Sequence, residues 1–145
     1  MREILFRGKR FNNGEWVIGF YAKKDGATFI SEIGQYASGK SYFSDVLVNP
    51  ATVGQYTGLT DKNGKKIFEG DAIRFHKFRD EPDWVGVVRY ENCHYIAIGR
   101  MPLAYEKRID KEAFYCPFEV AMSGIAKETI EVIGNIHDNP ELMEV

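Results

Sequence analysis

The chain has 145 residues, of which 44% are hydrophobic and 28% are charged. These values exclude a disordered chain and allow one packed domain or two small modules. The net charge of −2 excludes a general nucleic-acid coat protein, whose affinity would come from an excess of Lys and Arg.

The composition also favours β-structure and a reducing compartment. Aromatic residues make up 14% of the chain and there are 14 glycines, a combination suited to pleated strands joined by tight turns. The two cysteines, Cys93 and Cys116, have neither metal-site spacing nor the pattern of a disulfide framework. No apolar run has the length of a signal peptide or a membrane span, so no membrane association is expected.

The first third of the chain predicts a β-meander. Two hairpin turns are expected at Asn13-Gly14 and Asp25-Gly26, because these residue types tolerate positive φ. The strands that they separate are predicted at residues 4–11, 15–21, 27–30 and 42–48, with a loop of small polar residues at 34–41.

The middle of the chain continues this pattern. Asn63-Gly64 predicts a third hairpin, and Gly70 predicts a bend in the strand that follows it. The strands are predicted at residues 53–59, 67–76, 84–90 and 93–98, the last two as a pair.

The last part of the chain is less regular. One or two helical turns are expected at residues 105–111, a strand interrupted by Pro117 at 114–122, and a final strand at 129–136. Asn139 followed by Pro140 predicts a short terminal helix. Together the elements predict a mainly β fold (β or α+β). A meander over residues 1–58 is expected to pack on an SH3-like small barrel over 59–145 in one compact body.

Three segments in order along the chain carry a specific pattern of turn and strand residues: MREILFRG at 1–8, VGQYTGLTDKNGKKIFEGDAI at 53–73, and IEVIGNIHDNPEL at 130–142. They resemble the opening, the signature and the closing motif of the YopX family, small proteins of phages and prophages in bacteria. The resemblance implies a phage-encoded protein made in the bacterial cytoplasm. It supplies no catalytic residue and no established biochemical role, and residues 76–125 match no motif.

The signature segment reads as a determinant of the fold. Its glycines, Gly58, Gly64 and Gly70, are expected to supply backbone freedom. Its apolar residues Leu59, Ile67 and Ile73 are expected to lie in the core.

No catalytic constellation, metal site or cofactor site is predicted. Residues 61–64 resemble the start of a calcium loop, but Lys65 and Lys66 follow where further oxygen ligands would be needed. His76, His94 and His137 lie on separate predicted elements, and the adjacent Cys93 and His94 would face opposite sides of a strand.

The carboxylates of Glu69 and Asp71 flank Gly70 and would project to the same side of an ideal strand. Such a pair can perform acid/base or metal chemistry. Beside a glycine bend, however, carboxylates more often accept hydrogen bonds from turn amides, and no nucleophile or phosphate loop accompanies this pair.

One basic and aromatic strand is a candidate nucleic-acid surface. If Ile73 and Phe75 face the core, Arg74, His76 and Phe78 share the opposite face. The candidate binding residues are Arg74, His76, Lys77, Phe78, Arg79 and, on the next strand, Arg89. The alternative is a strand edge protected by charge, with Asp80, Glu81 and Asp83 cancelling part of the field.

Three functional hypotheses follow. The first is a non-enzymatic accessory protein that acts through a protein surface and forms a homo-oligomer. The second is a nucleic-acid-binding module that uses the basic strand. The third is an enzyme or a small-ligand-binding protein with a pocket between meander and barrel.

Overall fold

The computed structural model describes residue 1 and residues 3–75, 83–91, 94–100, 115–116 and 129–143. The chain divides into two compact units, Met1–Gly58 (unit 1) and Leu59–Val145 (unit 2). Antiparallel strands build both units, and no α-helix occurs among the described residues. The prediction of a mainly β protein is therefore confirmed, whereas the SH3-like form of the barrel stays a prediction.

Eleven strands are described. In unit 1 these are β1 (Phe6–Lys9), β2 (Trp16–Lys24), β3 (Ala27–Gln35), β4 (Ser41–Leu47) and β5 (Gly54–Thr60), the last of which ends in unit 2. In unit 2 they are β6 (Lys66–Phe68), β7 (Asp71–Phe75), β8 (Trp84–Glu91), β9 (His94–Arg100), β10 (Tyr115–Cys116) and β11 (Glu131–Asn135). Short 3₁₀ turns cover Pro50–Thr52 and Pro140–Met143.

In unit 1 the strands lie in the order β4-β3-β2-β1-β5. The sheet then curves back on itself, because the end of β4 meets the segment that follows β1. An isolated bridge joins Arg10 to Val48, and the Phe11 N–H donates to the Leu47 carbonyl at 3.0 Å. This closure covers one end of β4.

The hydrophobic core of unit 1 lies on one face of this curved sheet. Val17, Ile30 and Val48 are at most 1% exposed, and the side chains of Phe6, Val46 and Val53 pack around them. The curvature requires Gly19, since a Cβ at this position would lie 2.1 Å from the Ser31 carbonyl oxygen.

Unit 2 contains a sheet in the order β10-β9-β8-β7-β11 and the hairpin formed by the end of β5 with β6. Its core consists of Ile67, Ile73, Val88, Tyr95, Ala97, Ile130 and Val132, with Leu59 packed against it. The predicted core positions Leu59, Ile67 and Ile73 are thus confirmed. A register shift between Val132 and Gly134 marks an irregularity in β11.

The hairpin turns occur where they are predicted, but only one has the expected geometry. Asp25 and Gly26 both have positive φ, as a type I′ turn requires. At Asn13-Gly14 and Asn63-Gly64 only the glycine has positive φ. The Gly64 N–H donates to the Asp61 carbonyl at 3.0 Å, which is the pattern of a type I turn followed by a left-handed glycine.

Other predictions differ from the structure in detail. The strand expected over 67–76 is divided at Gly70, which has φ +80°, into β6 and β7. The third strand is longer than expected and runs to Gln35, so the loop is confined to five residues. The short terminal helix that Asn139-Pro140 predicts is a 3₁₀ turn over Pro140–Met143. The helical turns expected at 105–111, and the strand at 114–122 apart from β10, lie outside the described residues.

Candidate functional site

Asp61 connects the β5–β6 hairpin to β11. Its Oδ1 accepts hydrogen bonds from the Asn63 and Lys65 N–H groups at 2.9 Å, and its Oδ2 accepts from the Val132 N–H at 3.0 Å. A backbone bond runs alongside, from the Lys62 N–H to the Ile130 carbonyl at 2.9 Å. The side chain is only 4% exposed, so the carboxylate is a buried acceptor that holds two segments together.

The environment of Asp61 favours its charged form. Burial alone would raise the pKa of Asp61, but the N–H donors of Val132, Lys65 and Asn63, with the charge of Lys65, lower it below the usual value. Both carboxylate oxygens accept from backbone amides, so this segment is a stabilised hairpin. Within the described parts of the chain, no group of three or more His, Cys, Asp or Glu could hold a metal ion.

The turn at Glu69-Gly70-Asp71 is also structural. Asp71 is 1% exposed, and its Oδ2 accepts from the Phe68 N–H at 2.8 Å. Gly70 donates its N–H to the Val88 carbonyl and accepts from the Ile136 N–H, both at 2.9 Å. The Asp71 carboxylate therefore accepts from a turn amide, as expected for a carboxylate beside a glycine bend.

The closing motif forms a polar turn next to Gly70. Asn135, opposite Asp71 in the β7–β11 pair, accepts at Oδ1 from the His137 and Asp138 N–H groups at 2.9 and 3.0 Å. Its Nδ2 donates to Asp138 Oδ2 at 2.7 Å. These bonds fix the turn, and they give Asn135 and Asp138 of the motif a structural role.

The predicted nucleic-acid residues are only partly described. Arg74 lies on β7 and Arg89 on β8, both exposed, whereas His76, Lys77, Phe78 and Arg79 lie outside the described residues. Arg74 is opposite Val85 in the register, and Arg89 is four residues further along the same strand. The two arginines thus share a sheet face, separated by about 13 Å along the strand.

Acidic groups surround Arg74. Its Nε lies 3.9 Å from Asp83 Oδ2, and Glu131 is its cross-strand neighbour on β11. A hydrogen bond from Lys62 Nζ, at 2.8 Å, and the charges of Lys62 and Arg74 lower the pKa of Glu131, so this acid stays ionised. The field at Arg74 is therefore partly cancelled.

The cysteines and histidines considered for a metal site are also only partly described. His94 lies on β9 and Cys116 on β10, whereas Cys93 lies outside the described residues.

Several of the exposed apolar side chains among the described residues lie on the face of the unit 1 sheet opposite its core, which we call the open face. Strand alternation places one set of apolar side chains there, at exposed fractions of 43–69%: Ile18, Phe20, Ile33, Phe43 and Leu47. The rings of Phe20 and Phe43 lie 6.3 Å apart, edge to face. The hydrogen-bonded pair of Ser31 and Asp45 lies on the same face between these apolar side chains. Exposed apolar groups of this kind are a candidate surface for protein interaction.

Two basic side chains lie at the β1 end of the open face, but Arg7 is only 8% exposed and Lys9 is half-buried. Cross-strand pairing places Arg7 and Lys9 beside Ile18 and Trp16. The Arg7 guanidinium lies 4.6 Å from the centroid of the Trp16 ring, and Lys9 Nζ lies 5.4 Å from it. These cation–π contacts fix the indole at the β1 end of the face.

At the other end of the open face, β4 is the outermost strand of its sheet. The Val48 N–H donates to the Thr28 carbonyl, so the even-numbered residues of β4 point their backbone groups at β3. The odd-numbered residues point theirs outward, and the outward carbonyl of Leu47 accepts from Phe11. Ser41, Phe43 and Asp45 therefore present outward backbone groups, which we call the free edge.

Comparison with known proteins identifies the family of the chain. The family model described as YopX protein matches residues 6–144. The chain belongs to the YopX family. The three motifs that predict this membership include the Asp61 hairpin, the Gly70 bend and the Asn135 turn, which the structure shows to be three hydrogen-bonded parts of unit 2.

A solved structure shares the fold of this YopX protein. The crystal structure of protein EF1440 from Enterococcus faecalis has a TM-score of 0.55, is 21% identical, and is matched over 99% of each chain. At this identity the likeness concerns the fold alone. No curated protein matches at a significant level. A search of the described residues for a helix that is long and apolar enough to cross a membrane finds none.

Sequence reasoning did not identify the open face of this YopX protein. The signal was present, since β2 and β3 carry apolar residues at both odd and even positions, as in Val17-Ile18 and Phe29-Ile30. A strand with two apolar faces is either buried on both sides or exposed on one, and only the structure distinguishes these cases.

Proposed function

We propose that this YopX protein is a phage- or prophage-encoded accessory protein that acts by binding proteins, including copies of itself, through unit 1. It works in the cytoplasm of the bacterial host and performs no chemistry of its own. We also propose that unit 2 is an SH3-like barrel. The observation that carries the proposal is the open face, where exposed apolar side chains lie beside a free strand edge.

The polar groups support the same proposal. The carboxylates of Asp61 and Asp71 accept hydrogen bonds from backbone amides, and the amide of Asn135 fixes a turn. Groups used in this way hold the fold and are not available for acid/base work. The exposed aromatic side chains of unit 1 are instead typical of the centres of protein interfaces.

Nucleic-acid binding through Arg74 and Arg89 is the second candidate. Both arginines are exposed on one face of the unit 2 sheet. Asp83 and Glu131 beside Arg74 weaken this candidate, because phosphate binding depends on net positive charge.

Affinity capture from induced or infected bacterial cells tests the proposal with two variants. Ile18→Lys places a charge on the open face, and the double variant Arg74→Ala with Arg89→Ala removes the basic pair from unit 2. We expect a protein partner that the wild-type and the double-arginine variant retain after nuclease treatment and that Ile18→Lys loses. Capture that nuclease or the double-arginine variant abolishes would favour the nucleic-acid candidate instead.

A further inference from the structure

The free edge of β4 is self-complementary. Ser41, Phe43 and Asp45 are three alternate residues, all with their N–H and C=O groups directed away from β3. An antiparallel copy of the same strand offers the same three residues in reverse order. β4 also lacks Lys, Arg and Pro, the residues by which sheet edges usually avoid such pairing.

We infer that two copies of this chain pair through β4, antiparallel and about a two-fold axis at Phe43, so that the unit 1 sheets become one continuous sheet. This inference rests on the proposed self-association and names its surface and register. In this arrangement Phe43 is opposite Phe43 of the second copy, and Ser41 is opposite Asp45. Each outward residue then exchanges two N–H···O bonds with its partner.

The occupied Leu47 carbonyl selects this register. Moving the axis one residue towards the end of β4, to Ser44, would require Leu47 to bond the second copy, but its carbonyl already accepts from Phe11 at 3.0 Å. Moving the axis to Tyr42 would bring Gly39 into the pair. Gly39 has φ +81° and lies in a tight turn, so it cannot continue a strand. The axis at Phe43 uses all three free residues and neither of these.

The charges select the same register. With the axis at Phe43, the two Asp45 side chains are about 13 Å apart along the strands, beyond the screening length at physiological salt. Each Asp45 faces Ser41 of the second copy, which follows Lys40 directly in the sequence. An axis at Asp45 would instead place the two carboxylates opposite each other, which is unfavourable.

The side chains around the free edge supply a modest contact area. Phe43 and Ile33 on the open face, and Tyr42 and Tyr36 on the other face, are 69, 59, 39 and 58% exposed. At about 200 Å² for a large side chain, they present roughly 400 Å² in each copy. Stable interfaces bury about 1,200 Å² or more in total, so we expect a dimer of micromolar affinity that dissociates on dilution.

Two opposite charges at position 43 test the register. We expect Phe43→Lys and Phe43→Glu each to be monomeric, because like charges would face each other across the axis. An equimolar mixture should form heterodimers at least tenfold tighter than either homodimer, measured by sedimentation or native mass spectrometry. Tyr90→Lys, at an exposed aromatic position of unit 2 that belongs to neither the open face nor β4, is the matched control and should dimerise as the wild type does.

Amide exchange supplies a second measurement that does not depend on variants. In the dilute wild type, the outward amides of Ser41, Phe43 and Asp45 should exchange quickly and the inward amides of Tyr42 and Ser44 slowly. At high concentration all five should be protected.

The outcomes separate this inference from the proposed function. A dimer that persists in Phe43→Lys, or outward amides that stay unprotected in a dimer, would overturn the β4 pairing while leaving self-association intact. A mixture of the two charged variants that stays monomeric would overturn the axis at Phe43. A wild-type chain that is monomeric at all concentrations would overturn the pairing, and capture of a different protein partner would still support the proposed function.

Discussion

At the scale of single residues, Asp61 is the side chain with the largest expected effect on stability. Asp61→Asn keeps the size but replaces one acceptor oxygen by an N–H₂ group, which would face a buried backbone amide. We expect the free energy of unfolding to fall by about 3 kcal/mol, measured by urea denaturation. Glu131→Gln breaks the exposed pair with Lys62 between the same two segments and is the control, with little expected effect. Equal losses in the two variants would contradict the structural role of Asp61.

The lowered pKa of Asp61 also predicts how stability depends on pH. Because the folded-state pKa lies below the unfolded one, the ionised carboxylate stabilises the fold fully above the ordinary value of 3.8. This contribution is lost as the pH falls through the lower folded-state pKa. The stability difference between wild type and Asp61→Asn should therefore be constant from pH 7 to about pH 5 and shrink below pH 4. A difference that did not change with pH would show that the carboxylate charge is not involved.

Residue-level prediction from sequence was right where the contacts are local. Asn-Gly and Asp-Gly pairs identified the hairpins at residues 13–14, 25–26 and 63–64, because turn chemistry depends on neighbouring residues. The third amide donor to Asp61 comes from Val132, which is 71 residues away. No local pattern reveals such a contact, so the sequence indicated a turn at Asp61 but not its connection to β11.

At the scale of strands, two glycines in unit 1 make matched predictions. A Cβ at Gly19 would lie 2.1 Å from the Ser31 carbonyl oxygen, whereas a Cβ at Gly34 would lie 2.3 Å from the Tyr42 ring. The backbone cannot move without separating β2 from β3, but the Tyr42 side chain is exposed and can rotate. We expect Gly19→Ala to destabilise unit 1 by at least about 2 kcal/mol and Gly34→Ala by less than about 1 kcal/mol. Thermal unfolding followed by circular dichroism measures both, and the reverse order would contradict the described packing.

Strand existence could be predicted from sequence, but strand environment could not. Alternation and turn signals located the strands of unit 1, and the apolar residues of the signature identified part of the unit 2 core. The open face was not predicted, because Ile18 and Phe20 are apolar like Val17. Nothing in the sequence distinguishes these two exposed side chains from the buried one. The free edge depends on which strand ends the sheet and on the contact between Phe11 and Leu47, and both are properties of the whole sheet.

At the scale of the whole molecule, the charge distribution predicts weak binding to nucleic acid. The net charge is −2, and Arg74 of the candidate surface has acidic neighbours in Asp83 and Glu131. We expect no mobility shift of single-stranded oligonucleotides at micromolar protein and about 50 mM salt, a condition that favours phosphate contacts. A shift at low salt that disappears in the Arg74→Ala, Arg89→Ala double variant would instead support the nucleic-acid candidate.

The molecular mass of the wild-type chain in solution tests the central claim, self-association through unit 1, most directly. One chain has a mass of 16.6 kDa. Light scattering on a dilution series should give twice this mass at about 100 μM and approach the single-chain mass below about 1 μM, as expected for a small interface. A mass of 16.6 kDa at every concentration would contradict the claim.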